Sequence, residues 1–306
     1  MPALRLLLIV NSFATSVTAR NRVLVHQMLS KDHDVTVVET NRRGHATRFA
    51  QDAANRGVDA VVAFGGDGTV NEVATGIARS RTALAVLPGG STNVFARTIG
   101  LPNDPVAATR VLVPALADRR LHRVGLGVVN GRFFCFHTGV GFDAAVVRRV
   151  ERRASVKRWL GHPLFIYSAL RTWLSEYDRR QPHFSVRFPD GSCVPDGYFT
   201  IVLNTNPYTY LGNRPLDLSP AATLDRGLVT VTFRTLRAFA VLGNVAKALR
   251  GGGVKPGPVL DEHVDLGGLE IEAPRPFPYQ VDGDYLGETR RLVFRHEPEV
   301  LDLVVP

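Results

Sequence analysis

Cysteine is almost absent from this chain: 306 residues hold only Cys135 and Cys193. That excludes a disulfide framework and a cysteine-based metal site, and it fits a reducing compartment. Long apolar runs free of charge are missing too, so no transmembrane helix is expected. The apolar stretch Leu6–Val10 is too short for a signal-peptide core and reads as a first buried strand. The expectation is a cytoplasmic protein whose membrane contact, if any, is peripheral. There are no internal repeats and no low-complexity tracts. No recognition-helix or RNA-module signature is present, so nucleic acid is not an expected partner. Acidic residues are in deficit: 28 against 37 lysines and arginines, a net charge of +9. Such a surplus implies acidic partners, either nucleotide phosphates or an anionic membrane surface.

What is there suggests one large or two medium domains with a sizeable core, since 45% of residues are hydrophobic. The first third alternates strand and helix. Strands are expected at Leu4–Val10, Asp34–Glu39, Val58–Phe64 and Ala83–Leu87. Helices are expected at Arg20–Leu29, Gly44–Arg56, Thr69–Ala78, Thr92–Ile99 and Pro105–Val113. That rhythm means βαβ units and a parallel sheet. After about Leu121 short β-rich runs take over, at Arg123–Val129, Phe133–Val140, His183–Phe188, Tyr198–Asn204, Leu228–Arg234 and Leu269–Ala273. Proline and glycine turns separate them, with helices near Leu160–Tyr177 and Leu236–Leu249. The reading is an α/β domain over 1–121 and an all-β sandwich domain over 122–306.

Two glycine turns stand out. Phe64-Gly65-Gly66-Asp67-Gly68-Thr69-Val70-Asn71-Glu72 follows an apolar strand and opens a helix. Glycines let the backbone approach a ligand, and the new helix offers free N–H groups to an anion. Asp67 suits a metal ion or a polarised hydroxyl; a cap for the turn is the plainer role. Leu87-Pro88-Gly89-Gly90-Ser91-Thr92-Asn93-Val94 repeats the pattern after the next strand. Turns at the ends of neighbouring parallel strands face one crevice, where open α/β sheets bind ligands.

With these two motifs the chain resembles the diacylglycerol kinase catalytic domain superfamily, which includes sphingosine and ceramide kinases and bacterial soluble lipid kinases. Thr138-Gly139-Val140-Gly141-Phe142-Asp143-Ala144 and Tyr279-Gln280-Val281-Asp282-Gly283-Asp284 extend the resemblance over nearly the whole chain. It implies an ATP- and Mg²⁺-dependent transfer of the γ-phosphoryl group to a hydroxyl of diacylglycerol or a related lipid. It implies an α/β domain, a β-sandwich domain and an active site between them. Nucleotide contacts are expected at Asn11, Thr40, Gly65, Gly66, Asp67, Gly68, Thr69, Asn71, Glu72, Gly90, Ser91, Thr92 and Asn93, with Thr40 ranked above His45. Asp67 is the expected metal ligand. Asp282 or Asp284 is the expected general base; the order of the two stays open, and Asp-Gly alone is also a common hairpin turn. Asp143 either joins the polar network or caps the helix after it.

The chain departs from the family in places. Its first loop, Asn11-Ser12-Phe13-Ala14-Thr15, lacks the usual proline and glycine, and Val94 stands where an aspartate is common. Arg226 follows Asp225 where relatives carry an acid for a structural Mg²⁺, and a cation there repels the metal. Arg148, Arg149, Arg152, Arg153, Lys157 and Arg158 crowd one stretch ahead of Trp159, Leu164, Phe165, Ile166, Leu170 and Trp173. That stretch suits docking on anionic lipid or, equally simply, a solvated basic face. Two rival functions share features with the lipid-kinase reading: a nicotinamide-dinucleotide kinase, and a nucleotide- or membrane-binding regulator without catalysis.

Overall fold

The structure is a computed structural model. It describes residues 3–151, 171–173, 177–178 and 180–306. Two units emerge: Met1–Leu126 with Pro298–Pro306, and Gly127–Glu297. The division expected at 121/122 falls at Leu126/Gly127, and the last nine residues, Pro298–Pro306, return to the first unit.

The first unit is the alternating α/β fold. Its elements are β1 (Arg5–Asn11), α1 (Ala19–Ser30), β2 (Asp34–Thr40), α2 (His45–Asn55), β3 (Ala60–Gly65), α3 (Asp67–Ile77), β4 (Ala83–Pro88), α4 (Val94–Thr98) and α5 (Pro105–Ala117). Strands β1 to β4 pair in parallel in the order β4-β3-β1-β2. Every residue of β3 and β4 is buried, as a parallel strand covered on both faces requires. Thr18 caps α1 by accepting from the Asn21 N–H at 3.1 Å, and Asp104 caps α5 through the Ala107 N–H at 2.8 Å. The end of the last strand, β16 (Asp284–Val304), lies parallel beside β4, pairing Leu303 with Leu84. No helical or turn signal in the sequence marks that return.

The second unit is β-rich and antiparallel. Between β5 (Leu121–Val129) and β16 it contains β6 (Arg132–Phe134), β7 (His137–Gly141), α6 (Phe142–Glu151), β8 (Phe184–Arg187), β9 (Cys193–Gly197), β10 (Phe199–Leu203), β11 (Thr209–Leu211), β12 (Arg214–Leu216), β13 (Leu228–Phe233), α7 (Ala238–Arg250), β14 (Leu260–Leu266) and β15 (Gly268–Val281). Its main order is β14-β13-β10-β7-β15-β16. Strand alternation gives each face its own core. Val202 and Leu228 join Val140, Phe277, Val281 and Phe294 on one side. Phe199, Ile201, Leu203, Val229, Val231 and Phe233 form the other, together with Leu236 and Ala248 of the α7 segment. The expected strand Phe133–Val140 breaks at Cys135–Phe136, whose N–H groups turn to a side chain instead of a neighbouring strand. The expected helix Leu160–Tyr177 lies mostly outside the described residues. So do Arg152 to Arg158 and Trp159 to Leu170.

Candidate active site

In the first unit the two glycine turns touch backbone to backbone. The Gly89 N–H donates to the Gly65 carbonyl at 2.7 Å. A Cβ on Gly89 would meet the Gly65 Cα at 2.7 Å, and one on Gly90 would meet the Gly66 Cα at 2.9 Å. No side chain fits at either place, so the glycines are required by this packing whatever they bind. Register makes it possible: Gly65 and Pro88 are partners in the β3–β4 pair, so both turns leave the sheet at the same level.

Asp67 locks the second turn. Its Oδ2 accepts the Val94 N–H at 2.9 Å and its Oδ1 the Phe95 N–H at 3.0 Å. It therefore caps α4, a helix outside its own turn. Burial raises its pKa, and the two N–H donors oppose that rise. Asn93 holds the turn from within. It sits in the left-handed region at φ 50°, accepts the Gly90 N–H at 2.7 Å, and donates to the Gly90 carbonyl and to Asn103. Glu72 was expected at the nucleotide. The structure instead aims its two oxygens at the Gly44 and Ala46 N–H groups, 2.9 and 3.0 Å away, as a cap for α2. Asn71 is buried and Thr40 is buried at the end of β2. Asn11 reaches Thr69 Oγ1 at 3.1 Å and receives the Phe13 N–H, so the first loop is tied to the first glycine turn. Ser12, in the same loop, donates to Glu39 at 2.6 Å. Of the expected set Gly68 and Ser91 are exposed, while Asn11, Gly66, Asp67, Glu72, Gly90 and Thr92 are half-buried. The first N–H groups of α3 lie beside them.

The second unit carries a second polar centre. Asp282 and Gly283 form the two-residue turn of the β15–β16 hairpin, with φ of 47° and 85° and Val281 paired to Asp284. That is the mirror-type turn for which Asp-Gly is suited. Asp282 is buried, and its carboxylate accepts the Cys135, Phe136 and His137 N–H groups at 2.7, 3.0 and 2.9 Å. Gln280 steadies the same turn by accepting the Gly283 N–H at 2.8 Å, and its Nε2 donates to Asp143 Oδ2 at 2.8 Å. The Tyr208 hydroxyl donates to the other oxygen of Asp143. Asp143 is thus part of a buried network and not a cap. Burial raises its pKa, with the two donors opposing. Gly139 is obligatory here, because a Cβ would fall 1.6 Å from Asp143 Oδ2. His137 lies against the Tyr208 ring at a tilt, with centroids 4.5 Å apart, and burial lowers its pKa to about 3. Asp284 is different. Its side chain keeps 29% exposure and lies 3.6 Å from Arg132 Nη2. Gln280 and Tyr208 are the residues that sequence reasoning missed; Gln280 stood inside a quoted motif, while nothing near Tyr208 marked it.

A Mg²⁺ cage built by the protein does not fit these centres. Both oxygens of Asp67 are engaged, and among the described residues no three His, Cys, Asp or Glu side chains converge as a metal site. Asp225 and Arg226 are both exposed.

This geometry has a family. Residues 5–128 match the model of the diacylglycerol kinase catalytic domain. The chain is 32% identical over 288 residues to a Pseudomonas aeruginosa protein described as "Probable lipid kinase YegS-like", covering 93% of this chain and 89% of that one. A Chromohalobacter salexigens protein of the same description is 30% identical over 274 residues, 86% of this chain and 81% of that one. The chain belongs to the diacylglycerol kinase catalytic domain family. Its fold is shared with a crystal structure of a "putative diacylglycerol kinase" from Bacillus anthracis, at a TM-score of 0.80, 24% identity, and 100% and 96% coverage of the two chains. A more distant likeness is to an NAD kinase from Archaeoglobus fulgidus in complex with ATP, with a TM-score of 0.51, 12% identity, and coverage of 98% and 93%.

Proposed function

We propose that this protein is an ATP-dependent lipid kinase that moves the γ-phosphoryl group to a lipid hydroxyl, diacylglycerol being the reference substrate. The observation that carries the reading is the direct backbone contact of the two glycine turns. It leaves the α3 N-terminus, Gly68, Ser91 and Thr92 free of bulk, as a phosphate cradle needs. Family membership supports the lipid as acceptor. The cradle supplies positioning and neutralisation, which phosphoryl transfer chiefly requires. Mg²⁺ would come with the nucleotide, since it keeps several waters and takes few protein ligands.

Between the two candidate bases we choose Asp284. Asp282 already accepts three backbone N–H groups, so taking up a proton would break the turn it holds. Asp284 is part-exposed, and its backbone is fixed by the turn beside it. In this role Asp284 accepts the proton of the lipid hydroxyl as the hydroxyl oxygen bonds to the γ-phosphorus and the bond from that phosphorus to the β,γ-bridging oxygen breaks, releasing ADP. The testing experiment is labelled ATP with Mg²⁺ over a panel of lipids and NAD, with products separated. Label in a lipid product is expected. Label in NAD alone would favour the dinucleotide-kinase reading, and nucleotide binding without any transfer would favour a regulator.

A further inference from the structure

Helix α7 presents an unusual face to solvent. Phe239 is 93% exposed and Leu242 is 65% exposed, the two most exposed large hydrophobic residues of that helix. At 100° per residue, Phe239, Leu242, Gly243, Ala246 and Arg250 fall on one side. Asn244 and Ala248 fall on the opposite, buried side. The burial is firm: Leu236 and Ala248 belong to the apolar cluster beneath the helix, and Val241 packs against it. Among the described residues the packing that buries one side of the helix leaves Phe239 and Leu242 exposed on the other.

Charge follows the same pattern. From Thr235 to Leu260 the chain has Arg237, Lys247, Arg250 and Lys255 and no acid. Among the described residues none of these four makes an ion pair. Some arginines elsewhere in the unit are paired with acids, Arg148 with Glu288, Arg187 with Glu272, Arg234 with Asp196 and Arg291 with Glu270, while Arg214, Arg226, Arg275, Arg290 and Arg295 are not; what sets this stretch apart is that it has no acid of its own. Lys247 and Arg250 lie in the last turn of α7, where they also suit the helix dipole.

We propose that the outward face of α7 docks the protein on an anionic membrane surface, with Phe239 and Leu242 inserted at the headgroup–acyl boundary and Lys247, Arg250 and Lys255 against lipid phosphates. A protruding phenylalanine on a helix that ends in cations without ion pairs needs no complementary groove, and a bilayer supplies none; a folded protein partner would have to supply one. The choice of a bilayer over another anionic surface rests on the lipid-kinase reading. The face differs from the basic cluster at Arg148–Arg158, which lies mostly outside the described residues.

The test is co-sedimentation of the full chain with vesicles of phosphatidylcholine alone or mixed equally with phosphatidylglycerol, without ATP. The wild type should bind the mixed vesicles more strongly, and less as salt rises. Phe239→Ser with Leu242→Ser should weaken partitioning about tenfold or more, the loss expected for buried apolar side chains. Phe239→Trp should retain binding, because an indole suits the interface. Lys247→Gln with Arg250→Gln should weaken binding and flatten its salt dependence. Phosphorylation of a short-chain, water-soluble diacylglycerol should be unchanged in all of them. Equal vesicle binding by the double serine variant and the wild type would overturn the proposal. So would a dimer that becomes a monomer in that variant while vesicle binding persists, since the face would then join two copies. If the vesicle pattern holds but no lipid is phosphorylated, the docking face stands and the kinase reading falls.

Discussion

Asp67 in the first unit and Asp282 in the second lie in the two motifs that look most catalytic, and both give their oxygens to backbone N–H groups. They differ in reach and enclosure. Asp67 is half-buried and holds Val94 and Phe95, 27 and 28 residues along the chain. Asp282 is 5% exposed and holds Cys135, Phe136 and His137, 145 to 147 residues back. The first joins two neighbouring turns of one sheet. The second fastens a hairpin tip to a break between β6 and β7. Acids of this kind hold the backbone together, and the proposed function places the chemistry on groups beside them: Gly68, Ser91 and Thr92 in one case, Asp284 in the other.

The sharpest way to break that comparison is to separate assembly from chemistry in the hairpin. Asp284→Asn should leave the melting temperature nearly unchanged and lower kcat by about 10²- to 10⁴-fold, the span of a lost general base. Asp282→Asn should lose about 3 kcal/mol of stability, since an amide cannot accept three N–H groups as a carboxylate does. Activity and denaturant unfolding measured on the same samples would decide. If the asparagine at 284 is active and the one at 282 is stable but inactive, the roles are reversed.

A middle-sized effect is expected in the first unit. Asp67→Asn replaces one of two acceptors with a donor facing a backbone N–H. It should cost about 2 kcal/mol and raise the KM for ATP, because α4 and the Gly89–Asn93 turn are held through it. An unfolding free energy equal to the wild type's, with transfer abolished, would mean that Asp67 acts on the substrate directly.

The last effect, read from pH dependence and small at neutral pH, concerns His137. Its pKa is lowered to about 3 by burial, against an ordinary value of 6.5. The unfolded chain takes up the proton first, so stability present above pH 6.5 is lost as pH falls toward 3. One such group contributes a slope of up to about 1.4 kcal/mol per pH unit. The raised pKa of Asp143 has the opposite sign: its contribution is present at low pH and lost as pH rises through the folded value. Unfolding free energies of the wild type and His137→Gln, taken between pH 4 and 8, should therefore differ in slope. Parallel curves would show that the histidine is not held neutral.

Much of the first unit was legible because its information is local. An apolar run followed by glycines and a helix start is written in consecutive residues, so β3, β4 and their turns were placed within a residue or two. The Asp-Gly turn was legible for the same reason. Glu72 was not: its position in the motif pointed to the ligand, while its partners at Gly44 and Ala46 belong to a different connection. The different surroundings of Asp282 and Asp284 were equally hidden, since both flank the same glycine and only Asp282 receives the N–H groups of the loop at Cys135–His137. Gln280 and Tyr208 came together with Asp143 across 137 and 65 residues.

The sequence by itself determined the elements of the first unit, the glycine turns and the family, because hydrophobic period, turn residues and motif spacing act over a few residues. Only the tertiary structure decided that Asp67, Glu72 and Asp282 serve the backbone, and that the chain's end returns beside β4. It also decided that Phe239 points outward while Ala248, nine residues on, is buried. The physical reason is that these choices depend on which N–H groups and apolar faces remain unsatisfied once distant segments have packed. No short stretch of residues contains that information.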